Sequence, residues 1–428
     1  MLQVLKGSWA LLLGLGLLML GNGMQSTLLG IRGGIEGFTT FELSVVMSGY
    51  FAGFLIASTV APILIRRVGH LRVFAALGSL VSATIILYPA VTEPWAWIAL
   101  RVLLGFCFCG VYIATESWLN AAATNETRGT ALSLYMIVQM LGIVVAQGIV
   151  TVGDPSGFIL FIVPSVLVSI SFAPILLSAT PAPPFESTKS MSLVRLWATS
   201  PLGCVSVFLI GGVISAQFTM SAVYGGIVGL TVAQISAFIA AIYLGGLIFQ
   251  FPIGWLSDRM DRRKLILASA AGCAALASVG AVFVDVPWVL VPLAFLFGGL
   301  SNPLYSLAVA YTNDFLDRED MAAASGGLLF LNGLGAISGP IALGWMMGAL
   351  GAVGFWVFLA GLNVALAVYA VWRMMRRPET PDVADTYSYT PIAPAASPVA
   401  HEAAAEVYAE AQDEACAQDT VDQGDPKP

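Results

Sequence analysis

Twelve apolar runs divide this chain, at about residues 8–29, 41–64, 71–91, 95–118, 129–151, 157–178, 202–224, 230–254, 265–284, 287–311, 321–347 and 351–373. Each is close to the ~20 residues that a helix needs to cross the hydrocarbon of a bilayer. Pro and Gly fall inside several runs, as membrane helices tolerate when neighbouring helices satisfy the freed backbone groups. The polar and small positions recur at one constant offset of 193 residues. Tyr50 meets Tyr243, Gly53 meets Gly246, Arg66 meets Arg259, Tyr112 meets Tyr305, Asn120 meets Asn313, and Leu141-Gly142 meets Leu334-Gly335. The register holds without an insertion. It predicts an all-α integral membrane protein of two pseudo-symmetric six-helix bundles, an arrangement that lets a central site open to each side in turn. Residues 1–178 form the first half, 179–200 a linker, 201–377 the second half and 378–428 a tail.

Charge gives the orientation. Only 10% of the residues are charged, against roughly 25% in soluble domains. With the N-terminus inside, 16 of the 18 Lys and Arg fall on the cytoplasmic side, the side on which such residues accumulate. Both termini are then cytoplasmic, in a multi-pass protein of the cell membrane. The first run is a full span without a typical small-residue cleavage pattern, so it reads as a helix rather than a removed signal. The tail holds 11 acidic residues, seven prolines and one Lys, while the remaining body carries a formal +3. The net −7 therefore belongs to the tail. Such a segment cannot fold alone, although Glu402–Gln418 has the composition of a helix. Two readings stay open for it, a solvated tail and a docking or regulatory segment. The five cysteines support neither a disulfide framework nor a metal site.

The loop after the eighth span reads Gly254-Trp255-Leu256-Ser257-Asp258-Arg259-Met260-Asp261-Arg262-Arg263-Lys264. It resembles the G-x-L-x-D-R-x-G-R-R/K signature of the Major Facilitator Superfamily, with Asp261 in place of the usual Gly. The related loop after the second span keeps Arg66, Arg67 and Gly69 but has Ile65 where the signature has Asp. Arg101 followed by Gly105 in the fourth span is similar to a second motif of the family. Gly335, Gly339, Pro340 and Gly344 resemble an antiporter motif, but they lie in the eleventh span, whereas the family carries it in the fifth. The resemblance extends over residues 8–373, including a branch whose substrates are unassigned. It implies alternating access, a cavity lined by the first, fourth, seventh and tenth spans, and gate or motif residues at Arg66, Arg67, Gly69, Gly254, Asp258, Arg259, Arg262 and Arg263.

Arg101, Gly105, Phe108, Tyr112 and Glu116 share one face of the fourth helix. Charges inside a span are costly and face a cavity or a partner. Arg101 and Glu116 are ~22 Å apart along the axis, too far for a direct pair. Arg101 is a substrate, proton or gating candidate, the alternative being an Arg that snorkels to the outer surface. Glu116 is expected as a gate partner for Arg66 and Arg67, and Asp258 is expected to accept from backbone N–H groups at the start of the fifth helix; the alternative for the loop charges is setting the topology and meeting lipid headgroups. Candidate cavity groups are Asn22, Gln25, Tyr112, Gln217, Asn302 and Tyr305, with Gln139 and Asn332 as symmetry mates. Each amide has the alternative of bonding only a neighbouring helix. Both histidines, His70 and His401, are expected outside the membrane.

No phosphate-cradling loop or catalytic constellation is present. The expectation is a monomeric secondary transporter, not an enzyme, without cofactor, metal or nucleic-acid partner. It would move a small, mostly neutral organic solute, with export slightly favoured. Proton coupling through Glu116 and Arg101, uncoupled movement, and a non-transporting receptor that works through the acidic tail remain open at this point.

Overall fold

A computed structural model describes residues 2–123, 125–176, 191–376, 389–392, 397–401 and 403–407. Their long elements are all helices. The first half contains α1 (Leu2–Ile35), α2 (Thr40–Val68), α3 (His70–Leu87), α4 (Pro94–Ala122), α5 (Asn125–Val150) and α6 (Ile159–Leu176). After the short α7 (Leu193–Thr199) come α8 (Pro201–Ile227), α9 (Val232–Ser257), α10 (Arg262–Val282), α11 (Pro287–Ser301), α12 (Pro303–Asn313), α13 (Arg318–Leu350) and α14 (Val353–Arg376). Among the described residues, eleven segments are long and apolar enough to cross a membrane, α11 and α12 together forming one of them. The shorter apolar helix Ile159–Pro174 in α6 brings the crossings to the expected twelve.

Local chemistry explains the helix starts. Thr39 and Glu42 form a reciprocal capping box ahead of α2, and Thr231 and Gln234 form another ahead of α9. Each box satisfies two backbone donors that a helix start leaves without partners. Asp261, at the position where the family signature has Gly, caps α10 by accepting from the Arg263 N–H at 2.9 Å. The departure from the signature thus adds a helix cap.

Three boundaries differ from expectation. The tenth crossing runs as α11 and α12: Asn302 between them keeps helical dihedrals, φ −66 and ψ −44, while Pro303 has no N–H and so omits one bond of the helical ladder. The linker contains α7, which is capped by Ser192 and packs through buried Leu196. The tail is not wholly solvated: residues 389–392 and 397–407, apart from 402, lie against the bundle, and 398–401 and 403–407 are helical. Most of the expected Glu402–Gln418 helix lies outside the described residues.

Within the halves, α2 packs on α4 and α9 packs on α11, two crossings related by the repeat. Glycines set their closeness. A Cβ on Gly53 would collide with the Val102 carbonyl and one on Gly105 with that of Tyr50. In the second half, Gly245 meets the Phe295 carbonyl and Gly298 that of Ile242 in the same way. Such backbone approach drives helix association in lipid, where apolar burial alone gives no preference for a partner helix. Between the halves, α1 meets α8 and α2 meets α13. Ser26 donates to the Phe218 carbonyl at 3.2 Å and Ser48 to that of Ile337. These contacts close the end of the bundle opposite the Arg-rich loops, called the far end below; the loops mark the basic end.

Gly53→Val is expected to lower stability by about 1–3 kcal/mol through overpacking. Gly148→Ala, where a Cβ meets open space, should change little. The thermal unfolding midpoint in detergent measures both, and equal midpoints would refute the close-approach argument.

Candidate functional site

Between the halves lies a central cavity of about 100 Å³. Its polar groups include Asn22 on α1, Tyr112 on α4, Gln139 on α5, Asn302 between α11 and α12 and Asn332 on α13. Tyr50 and Phe54 on α2, Phe218 on α8 and Tyr243 on α9 supply aromatic walls. No charged side chain is among the lining residues described. Equivalent positions from the two halves face the same space: Asn22 and Ser215, Tyr50 and Tyr243, Gln139 and Asn332 are each 193 residues apart.

Behind this lining runs a continuous polar chain. The Arg101 Nη1 donates to Gln25 Oε1 at 2.8 Å, Gln25 Nε2 to Asn22 Oδ1 at 3.1 Å, and Asn22 Nδ2 to the Tyr112 hydroxyl at 3.0 Å. Tyr112 in turn contacts the Met19 sulfur at 3.6 Å. The two ends of the chain are on the α4 face predicted from spacing, and the amides of α1 connect them. Arg101 is 0% exposed and does not snorkel to a surface. Its other partners are neutral, the Met47 sulfur at 3.1 Å and the Tyr50 ring, whose centroid is 5.2 Å from the guanidinium carbon. Tyr50 therefore has Arg101 against its ring while it also lines the cavity. The positive charge orients every amide in the chain, because Arg can only donate.

A second polar chain starts from Glu116, which is also buried. It accepts from the Tyr135 hydroxyl, and Gln139 Nε2 donates to that hydroxyl at 2.8 Å. Gln139 carries this chain to the cavity wall. The expected pairing of Glu116 with Arg66 or Arg67 is not formed. Those arginines are exposed, while the remaining partners of Glu116 are the Ser397 hydroxyl and the backbone N–H groups of Ser397 and Ala400.

Asp258 also departs from expectation. It accepts from the Tyr389 N–H at 2.7 Å, rather than from the start of α5, and sits 3.6 Å from Arg262. Burial raises its carboxyl above the usual range, opposed first by the Tyr389 N–H and then by Arg262 and Arg259. Arg262 is buried and paired with Asp314, tying α10 to the end of α12. Arg259 stacks 4.2 Å over the Trp255 ring, and Arg263 pairs with Asp261 at 3.0 Å. Gly254 is covered by the Tyr389 ring. Gly69 has φ +88, a left-handed conformation that glycine adopts without strain, and it makes the α2–α3 turn.

Of the proposed cavity residues, Asn22, Tyr112 and Asn302 reach the wall directly. Gln25 stands behind it, and Gln217 donates to Ser301 Oγ at 3.0 Å, joining α8 to α11. Tyr305 turns away to His401 Nε2 at 3.0 Å. His401, which is expected outside the membrane, is buried against α12. Burial pushes its imidazole down to about 4, so it is neutral near pH 7. Residues not singled out are Tyr50 and Tyr243, visible in the repeat, and Tyr135, which no pattern in the sequence marks.

The sequence model of the Major Facilitator Superfamily matches residues 11–228 and 202–393. The chain belongs to this superfamily. Among similar proteins, the uncharacterized MFS-type transporter YfkF of Bacillus subtilis (strain 168) is 26% identical over 351 residues, 80% of this chain and 88% of its own length. The uncharacterized MFS-type transporter YcaD of Escherichia coli O9:H4 (strain HS) is 26% identical over 339 residues, 77% of this chain and 86% of its own. The crystal structure of the nucleoside transporter NupG superposes with a TM-score of 0.69 at 16% identity, covering 86% of this chain and 99% of that one. Its D323A mutant gives 0.73 at the same identity and coverage. At that identity the likeness speaks for the fold. The chain is thus a multi-pass membrane transporter, not an enzyme.

Arg101→Ala should lower stability by about 2–3 kcal/mol, since a charge-assisted hydrogen bond is lost and Gln25 is left with an unpaired acceptor. Tyr112→Phe should cost about 1 kcal/mol. Thermal unfolding in detergent reads both, and an unchanged midpoint for Arg101→Ala would show that the guanidinium does not hold the chain together.

Proposed function

We propose that this transporter moves a small, neutral or weakly charged organic solute by alternating access, with the central cavity as its binding site. The observation that carries this reading is the lining itself. Aromatic rings and amides from both halves face one space, with no charge among the described lining residues. Small-molecule sites are typically lined this way, apolar walls giving affinity and a few polar groups fixing orientation. A polyanion would demand cations in the wall. The pairing of equivalent positions across the cavity is what two rocking halves need, because each must present its share of the site in both orientations.

The basic end is cytoplasmic in this reading, which the distribution of Lys and Arg supports. Both termini then lie inside. Glu116 carries the coupling proton, and net movement is export. The support is the chain from Glu116 through Tyr135 to Gln139, which puts a carboxylate two hydrogen bonds from the cavity wall. Solute at Gln139 and a proton at Glu116 are thereby linked.

Thermal stabilisation by a panel of metabolites, lipophilic cations and antibiotics tests the solute site, on the full chain and on one ending at Arg376. A true ligand at 100 times its dissociation constant adds ~2.7 kcal/mol. Gln139→Ala and Asn332→Ala should each weaken it about fivefold, the worth of one net hydrogen bond. A ligand indifferent to both changes would place the site elsewhere, and no ligand for either chain would remove the basis of the reading. For coupling, inverted vesicles with an acidic interior should accumulate the solute. Glu116→Gln in the chain ending at Arg376 should abolish that accumulation while solute still equilibrates. Persistent uphill accumulation would exclude Glu116 as the proton carrier.

A further inference from the structure

We propose that tail residues 389–392, 397–401 and 403–407 form a plug. It occupies the opening of the bundle at the basic end and must withdraw before solute can pass between the cavity and that side. The seating is a property of the structure by itself; its consequence for solute rests on the transport reading above.

The plug is anchored on both halves. On the second half, the Tyr389 N–H donates to Asp258, Gln250 Nε2 donates to the Tyr389 hydroxyl at 2.6 Å, and the Ile392 N–H and carbonyl both engage the Ser306 hydroxyl at 3.0 Å. His401 meets Tyr305 on the same helix, α12. On the first half, Glu116 of α4 receives Ser397 and Ala400, and Arg128 of α5 pairs with Glu406 at 2.9 Å. Ser397 and Pro398 supply the residue types of a helix start, a polar cap followed by a proline that needs no donor. The carboxylate of Glu116 therefore sits where the first N–H groups of the tail helix converge and the helix dipole favours an anion.

Fit and position support the same conclusion. Ala400, Ala403, Ala404 and Ala405 are all buried, as are Ile392 and Ser397. A helix with methyl groups on successive sides enters a space that larger side chains would not. Glu116 is four residues beyond Tyr112 and Ser306 four beyond Asn302, so the plug meets the bundle ~6 Å below the cavity wall. The far end is already closed by α1 on α8 and α2 on α13. Opening it requires the basic ends of the halves to approach, and a helix ~10 Å across lies between them. The plug thus obstructs one exit and holds the other shut. The Arg128–Glu406 pair, with Glu406 half exposed, adds little to this; the buried contacts carry it.

The test reads access to the cavity and needs no solute. Ser58 lines the cavity. Ser58→Cys is placed in a chain whose Cys107, Cys109, Cys204, Cys273 and Cys416 are replaced by Ala, and the purified protein is treated with a cationic methanethiosulfonate. Ala404→Trp, a large side chain at a fully buried position, should expel the plug while leaving the membrane helices unaltered. Labelling should then accelerate about tenfold or more, the gain expected when an occluded state populated above ~90% is released. Removal of residues 377–428 should do the same, and a synthetic peptide of residues 389–407 should restore protection, whereas the peptide with Ala404→Trp should not. Equal labelling rates in the full chain and in Ala404→Trp overturn the plug, whether or not the truncated chain stays folded. Solute-induced stabilisation of the same proteins separates the two readings: its loss alone refutes the solute site, and equal labelling alone refutes the plug.

Discussion

The constraint on which the structure depends is that hydrocarbon offers no hydrogen bonds, so a polar group within it depends on the protein for its partners. Arg101 shows how far this reaches. Its guanidinium is buried with neutral partners, and its charge sets the direction of Gln25, Asn22 and Tyr112 in turn. Asn22 and Tyr112 face the cavity in orientations that this charge imposes. Glu116 answers the same constraint with a hydroxyl and with the N-terminus of a helix from the tail, since its gate arginines remain outside. Stability and site geometry are therefore one question at both levels of α4.

Close helix packing is the other half of the same physics. Lipid competes equally for apolar surface, so the α2–α4 and α9–α11 crossings rely on glycine letting backbones touch. The two crossings frame the cavity symmetrically, and Tyr50 and Tyr243 project from them into it. The repeat that gives the protein its two halves also gives the cavity its matched walls.

Much of this was legible in the sequence, for physical reasons. Apolar runs of spanning length cannot be mistaken for anything soluble, and a constant 193-residue offset places equivalent positions in equivalent places. The spacing of Arg101, Tyr112 and Glu116 marked a buried face of α4. Asn22, Tyr112 and Asn302 were recognisable as polar groups with no alternative but the interior. The partners were not legible. An amide in a span satisfies a neighbour or a cavity equally well, and only the fold sends Gln217 to Ser301 and Asn302 to the wall. The tail was the least readable part: alanines and acids compose a solvated segment and a slim docking helix alike. What distinguishes them is Glu116, 281 residues away in the chain.

Pro303 gives the symmetric design one uneven point. It stands where the first half has Gly110, which lies within the uninterrupted α4. Asn302 keeps helical dihedrals, φ −66 and ψ −44, and its N–H still donates to the Gly298 carbonyl, so the tenth crossing stays one span. What Pro303 removes is a single rung of the ladder, the N–H that would have met the Gly299 carbonyl. The second half therefore carries, next to a residue of the cavity wall, a backbone acceptor without the helical partner that the matching turn of the first half supplies.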